Sequence, residues 1–118
     1  MIDFDKDTAF TRQVLGALSA RTKMAMHNIA NQNTPGFKRF EVRFEDLLTA
    51  ERARAGAGED LGRVSHEIVR VDSGPQGQNN VVLMDELALL GKTALLHDLM
   101  TQRLSGYKSN LNKAVFGR

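Results

Sequence analysis

Over the first thirty positions apolar residues recur at Phe10, Val14, Ala17, Leu18, Met24, Ala25 and Ile29. This is a helical spacing, and Asp7 stands where a cap is favoured, so a helix is predicted from Asp7 to about Asn31. Thr11, Leu15, Leu18, Thr22, Ala25 and Ile29 also alternate steps of four and three, the rhythm of a helix-packing seam. Asn31, Asn33, Pro35 and Gly36 then follow closely and end the helix. Pro35-Gly36 suits the central positions of a type II turn, because proline presets the first φ and glycine tolerates a positive second one.

The pattern changes after the turn. Phe40-Glu41-Val42-Arg43-Phe44 alternates apolar and charged residues and predicts a short strand with Phe40, Val42 and Phe44 on one face. Leu47 to Ala55 fits one or two helical turns, Gly56-Ala57-Gly58 a loop tip, and Arg63 to Val71 a second weak strand ending at Asp72-Ser73-Gly74-Pro75. At most a small β element is expected here.

From Val82 to Val115 there is no proline, and glycine occurs only at Gly91 and Gly106, so one helix of about 34 residues and roughly 50 Å is predicted. A compact chain of this size has a radius of gyration of about 13 Å, and such a helix is too long to lie inside it. The fold is therefore expected to be mainly α and elongated. Leu83, Leu87, Leu90, Ala94, His97, Thr101, Leu104, Lys108, Leu111 and Val115 form one stripe, with Leu89, Leu96, Met100, Tyr107 and Ala114 beside it. One partner helix within the chain covers one stripe, and other chains are expected on the second. The parts divide as residues 1–36, 37–80 and 81–118 of one structural domain.

Composition adds exclusions. The 118 residues include no Cys, no Trp, one Tyr and six Phe, which removes disulfide and thiolate chemistry and leaves packing to Leu, Ala, Val and Met. A net charge of +2 carries no strong nucleic-acid footprint. The last acid is Asp98; Arg103, Lys108, Lys113 and Arg118 follow it, and they fit a helix C-terminus better than a phosphate site. A basic helical nucleic-acid-binding module that uses Arg103, Lys108 and Lys113 stands as an alternative. Neither a cleavable signal, given the acidic residues Asp3, Asp5 and Asp7, nor a membrane anchor is expected.

The constellations that resemble chemistry do not survive inspection. Gly91-Lys92-Thr93 ends like a phosphate-binding loop, but position 86 is Glu where that loop needs Gly. His27, His66 and His97 lie far apart in the sequence, and none has metal-ligand spacing to another histidine. Ser65, His66 and Glu67 are consecutive and so do not converge in a strand. Asp85-Glu86 suits the N-terminal dipole of the long helix. No enzyme activity, metal or cofactor is expected.

What remains is Asn28-Ile29-Ala30-Asn31, two further residues, and Thr34-Pro35-Gly36-Phe37. This stretch resembles the signature of the flagellar axial proteins, the rod and hook family, as does Ala17-Leu18 with Arg21. The short middle segment is similar to that of the proximal rod subunits. So are Asn79-Asn80-Val81 with Glu86 at the head of the long helix, and the ending Ala114-Val115-Phe116-Gly117-Arg118. Val82, Thr93 and His97 depart from the family pattern.

The resemblance implies long N- and C-terminal helices paired as a coiled-coil-like inner domain, and a non-catalytic subunit that assembles helically into the torque-transmitting shaft in the periplasmic space. The implied partners are like subunits, other rod proteins, the adaptor joining rod to MS ring, the MS ring, and in transit the flagellar type III export gate, with no nucleic acid and no lipid anchor. Phe44 with Leu48 fits the family's gate motif. The C-type proximal rod paralogue is an alternative member.

Overall fold

The computed structural model describes residues 4–45 and 66–117, with side chains from Thr8 onward. Helix α1 spans Phe4–Ala30, strand β1 Phe40–Arg43, strand β2 Glu67–Arg70, and helix α2 Leu83–Phe116. The fold is mainly α and elongated: two long helices and a small two-stranded antiparallel sheet in the middle of the chain. The extents are 60 × 33 × 14 Å and the radius of gyration is 18.0 Å, well above the 13 Å or so of a compact chain of this length. Leu48, the turns expected over Leu47 to Ala55 and the start of the expected second strand lie outside the described residues.

Helix α1 is closed by the turn that follows it. Asn31 N–H donates to the carbonyls of His27 (3.2 Å) and Asn28 (3.1 Å), and Gln32 N–H donates to Ile29 O (3.1 Å). The chain then reverses at Pro35-Gly36. Phe37 N–H reaches Thr34 O at 3.3 Å and Gly36 has φ +74°, the conformation of a type II turn.

Helix α2 begins at an extended Val82 that offers no side-chain cap, and ends at Gly117 with φ 68°, whose N–H donates to Lys113 O at 2.9 Å. Of the two expected N-terminal acids, only Asp85 faces solvent; Glu86 is buried. A dipole-capping role therefore fits Asp85, and Glu86 acts elsewhere.

The helices run antiparallel side by side, and β1 lies against α1. Val14, Ala17, Leu18, Val42 and Phe44 are buried together, with Phe10, Ala20, Met24, Leu96 and Met100 packed around them. The buried row of α1 runs Thr11, Val14, Leu18, Ala25 and Asn28. It shares Thr11, Leu18 and Ala25 with the expected seam, but Leu15, Thr22 and Ile29 sit on its half-buried flank. The helix serves two neighbours, α2 and β1, and the strand draws the Val14 and Asn28 side inward.

The stripes of α2 are also redistributed. Glu86 and Thr93 are buried, and Leu89, Leu90, Leu96, His97, Met100, Leu104 and Tyr107 are half-buried along the face toward α1. Both expected stripes therefore contribute to one interface. Leu83, Leu87, Leu111 and Val115 are exposed instead. Leu87 follows the buried Glu86 by one residue, a rotation of about 100° that takes it off the inner face.

In the sheet, Phe40 lies opposite Arg70, Glu41 opposite Val69, Val42 opposite Ile68 and Arg43 opposite Glu67. Val42 and Phe44 are buried against α1, and Phe40 is half-buried.

Candidate functional site

The signature stretch and the residues before α2 meet at one end of the helix pair. Asn28, on the last turn of α1, is fully buried. Its Nδ2 donates to Phe40 O at 2.8 Å and its Oδ1 accepts from Phe40 N–H at 2.9 Å. One side-chain amide thus satisfies both outward backbone groups of a strand residue, as a neighbouring strand does. Farther along β1, Arg21 Nη2 donates to Val42 O at 2.8 Å. Arg21 also clamps Glu45 with two bonds of 2.6 and 2.8 Å and lies 4.6 Å over the Phe44 ring. This clamp holds the Glu45 carboxyl below the usual carboxylate range, chiefly through the Arg21 hydrogen bond and against the burial that raises it.

Asn31 and Thr34 fix the loop. Asn31 Nδ2 donates to His27 O (2.9 Å), and its Oδ1 accepts from Thr34 Oγ1 (3.1 Å). The loop's outward carbonyls go to Asn79, whose Nδ2 donates to Asn31 O (2.8 Å), Gln32 O (3.1 Å) and Thr34 O (2.8 Å), while its Oδ1 accepts from Val81 N–H (2.8 Å). Asn80 enters the ladder itself. Val71 N–H bonds Arg39 O directly at 2.8 Å, but the reciprocal bond is spliced: Arg39 N–H donates to Asn80 Oδ1 and Asn80 Nδ2 donates to Val71 O, each at 2.7 Å. Lys38 Nζ gathers the carbonyls of Ser73 (3.2 Å) and Pro75 (2.9 Å).

An ion pair links this joint to α2. Arg39 Nε donates to Glu86 Oε1 at 2.7 Å, with the Glu86 side chain only 1% exposed. Burial works against the Arg39 charge, but the bond to Glu86, aided by Glu86 and Glu41 charge, outweighs it and raises the guanidinium pKa. The second oxygen, Glu86 Oε2, is buried without a hydrogen-bond partner among the described residues. On the outside, His27, Phe37 and Phe40 form a ring cluster with centroids 5.6 to 6.2 Å apart.

The structure therefore brings Asn28, Asn31, Thr34, Pro35, Gly36, Phe37, Asn80, Val81 and Glu86 to one joint. Ile29 is half-buried and Ala30 exposed on the helix leading into it. Phe44 is buried under Arg21, and Leu48 lies outside the described residues. Sequence reasoning missed Arg39, which no periodic pattern or motif singles out. Among the described residues no group of three or more His, Asp or Glu side chains is placed to hold a metal, and no helix is long and apolar enough to cross a membrane. The side chains of the joint are directed to backbone groups and to each other. Together they tie the end of α1 to the sheet and to the start of α2.

No family model matches the chain. It is similar to the flagellar basal body rod protein FlgB of Borreliella burgdorferi (strain ATCC 35210 / DSM 4680 / CIP 102532 / B31), at 42% identity over 48 residues. The match covers 41% of this chain and 36% of that protein's length, so it spans little more than a third of the relative. The similarity supports the flagellar rod family without singling out a member.

Proposed function

We propose that this chain is a non-catalytic structural subunit of the bacterial flagellar basal-body rod, of the proximal FlgB type. It assembles helically with like subunits and other rod proteins into the shaft that transmits torque. Its base meets the MS ring through the rod-to-ring adaptor, it passes through the flagellar type III export gate, and it works in the periplasmic space. The observation that carries this reading is the stretch Asn28 to Phe37: the residues that resemble the rod signature are also those that lock α1 to the sheet and the segment before α2. The similarity to a rod protein and the elongated pair of helices support it. A subunit of a shaft needs its long helices tied to the segment between them, and the bonds of the joint support that role.

Deletion of the chain in its own cell, with complementation, tests the reading. Loss of motility and of assembled rods in electron micrographs of basal bodies, both restored by the intact chain, is the expected result. Normal rods in the deletion strain overturn it, and rods that stop one tier farther from the membrane assign the chain to the C-type paralogue instead.

A further inference from the structure

The grooves of this molecule differ in how their charges are matched. Beside β1, Arg21, Arg39 and Arg43 line a groove together with Glu41 and Glu45 and pair with them. Midway along the helix pair, Lys23 shares its groove with Asp98. Toward the start of α1 the matching ends. There Thr8 and Arg12, about one turn apart on α1, face Leu104, Ser105, Lys108 and Leu111 of α2 across a groove of about 440 Å³. Small-molecule sites occupy roughly 300–1,000 Å³, so the space is sufficient for one.

Among the described residues no carboxylate lines this groove. Its two cations come from different helices, and neither belongs to an ion pair of the described residues, which lie at Arg21, Arg39, Arg43 and Arg70. The sequence holds no Asp or Glu from Thr8 to Phe40 and none from Leu99 to Arg118. Asp7, next to Thr8, is the nearest acid in sequence, and its side chain lies outside the described ones. The dipole of α2 accounts for Lys113 in the last turn. Lys108 stands about two turns before the helix end, beyond that reach.

The floor of the groove is apolar. Leu104 and Leu111 are about two turns and 10 Å apart on one face of α2, with Lys108 between them. Leu104 is half-buried and Leu111 is 49% exposed. Tyr107 lines the same side, its hydroxyl accepting from Arg103 Nε at 2.7 Å. An inorganic anion pairs the cations but leaves the leucines wet, and a neutral hydrocarbon covers the leucines but leaves the cations unpaired. An oxyanion carrying a hydrocarbon chain does both. A phosphate monoester, with a charge of about −1.5 to −2, matches two cations.

We propose that the groove between the start of α1 and the end of α2 binds a single-chain alkyl phosphate. Arg12 and Lys108 hold the phosphate from two sides, the Thr8 and Ser105 hydroxyls donate to it, and the chain lies along Leu104 and Leu111. The site and the rod reading do not depend on each other.

Calorimetric titration of the full-length chain tests this with dodecyl phosphate below its micelle concentration, inorganic phosphate and neutral dodecyl maltoside. Dodecyl phosphate is expected to bind one to one, about tenfold or more tighter than either of the others, since each lacks half of what the groove recognises. Arg12→Gln and Lys108→Gln are each expected to weaken it about tenfold, the order of one charge-assisted hydrogen bond, with helicity unchanged by circular dichroism. Lys113→Gln, outside the groove, is expected to leave it unchanged. In the parent protein, amide shifts on titration are expected to centre on Thr8, Arg12, Ser105 and Lys108, a readout that needs no variant. Equal binding of inorganic phosphate or of dodecyl maltoside, equal weakening by Lys113→Gln, or shifts centred on the exposed Leu95 and Leu99 each overturn the site.

Discussion

Asn28 and Phe40 are joined at both backbone groups of the phenylalanine, with the amide of one residue standing in for a strand beside the other at 2.8 and 2.9 Å. A two-stranded sheet is marginal by itself, and each of its edges presents unpaired N–H and C=O groups. Here the edge of β1 that faces α1 is served by side chains of that helix, Asn28 at Phe40 and Arg21 at Val42. The helix thus acts as a polar third neighbour as well as an apolar floor.

Asn28→Ala is therefore expected to cost about 2–4 kcal/mol, since two buried backbone groups lose their partner at once. Asn28→Asp keeps the acceptor for Phe40 N–H but sets a carboxylate against Phe40 O, and should be at least as damaging at neutral pH. Urea unfolding followed by circular dichroism measures both. A cost below 0.5 kcal/mol or so for Asn28→Ala means that the strand edge finds other partners.

Glycine substitutions separate backbone strain from packing. Gly36 has φ +74°, and a side chain there is 3.5 Å from Gly77 O, an ordinary contact distance. Gly36→Ala is expected to destabilise by about 1–2 kcal/mol through conformation alone. Gly16 lies on the exposed back of α1 with open space around it, and Gly16→Ala should stabilise by about 0.5–1 kcal/mol. Thermal melts of the two variants should move in opposite directions.

These residues also show what was legible in the sequence. The helices, the turn at Pro35-Gly36 and the face shared by Val42 and Phe44 follow from local periodicity and backbone chemistry, which act over a few residues. The inner face of α2 was read less well because it is built around Glu86 and Thr93, and a count of apolar positions passes over buried polar ones. Glu86 is buried because Arg39, 47 positions earlier, reaches it. Asn79 and Asn80 likewise act on carbonyls and an amide at Asn31 to Arg39. Pairings at that separation leave no periodic trace in one sequence.

The Arg39 and Glu86 pair predicts an asymmetry between single and double replacement. Arg39→Met leaves the Glu86 carboxylate buried without its cation and is expected to cost about 3–5 kcal/mol. Adding Glu86→Leu removes the stranded charge and should recover most of that loss, within about 1 kcal/mol of the parent. Two single losses that simply add in the double variant show the residues to act separately.

At the other clamp, Glu45 predicts a pH dependence. Its folded-state pKa is depressed, chiefly by the hydrogen bond from Arg21, so its contribution is present above the unfolded carboxylate value and is lost as pH falls through the folded one. Stability measured by urea unfolding should decline below the ordinary carboxylate range, and Glu45→Gln should flatten part of that decline. The Arg39 guanidinium, whose pKa is raised, stays charged throughout this range. A Glu45→Gln profile that superimposes on the parent profile shows the clamp to be without consequence.

The last turns of α2 supply the final prediction. From Leu83 to Met100 the helix is backed by α1 and the core, whereas from Lys108 to Phe116 every residue is exposed. A helix end without packing is marginal in water, because its hydrogen bonds fix backbone without burying a face. Hydrogen exchange in the dilute monomer should therefore show fast exchange over 108–116 and slower exchange over 86–100. In an assembled array the same end is expected to become protected, since Leu111, Val115 and Phe116 then have neighbours to pack on. Equal protection along the whole of α2 in the monomer contradicts this, because it means that the exposed end is stable without a partner and that its apolar residues do not wait for one.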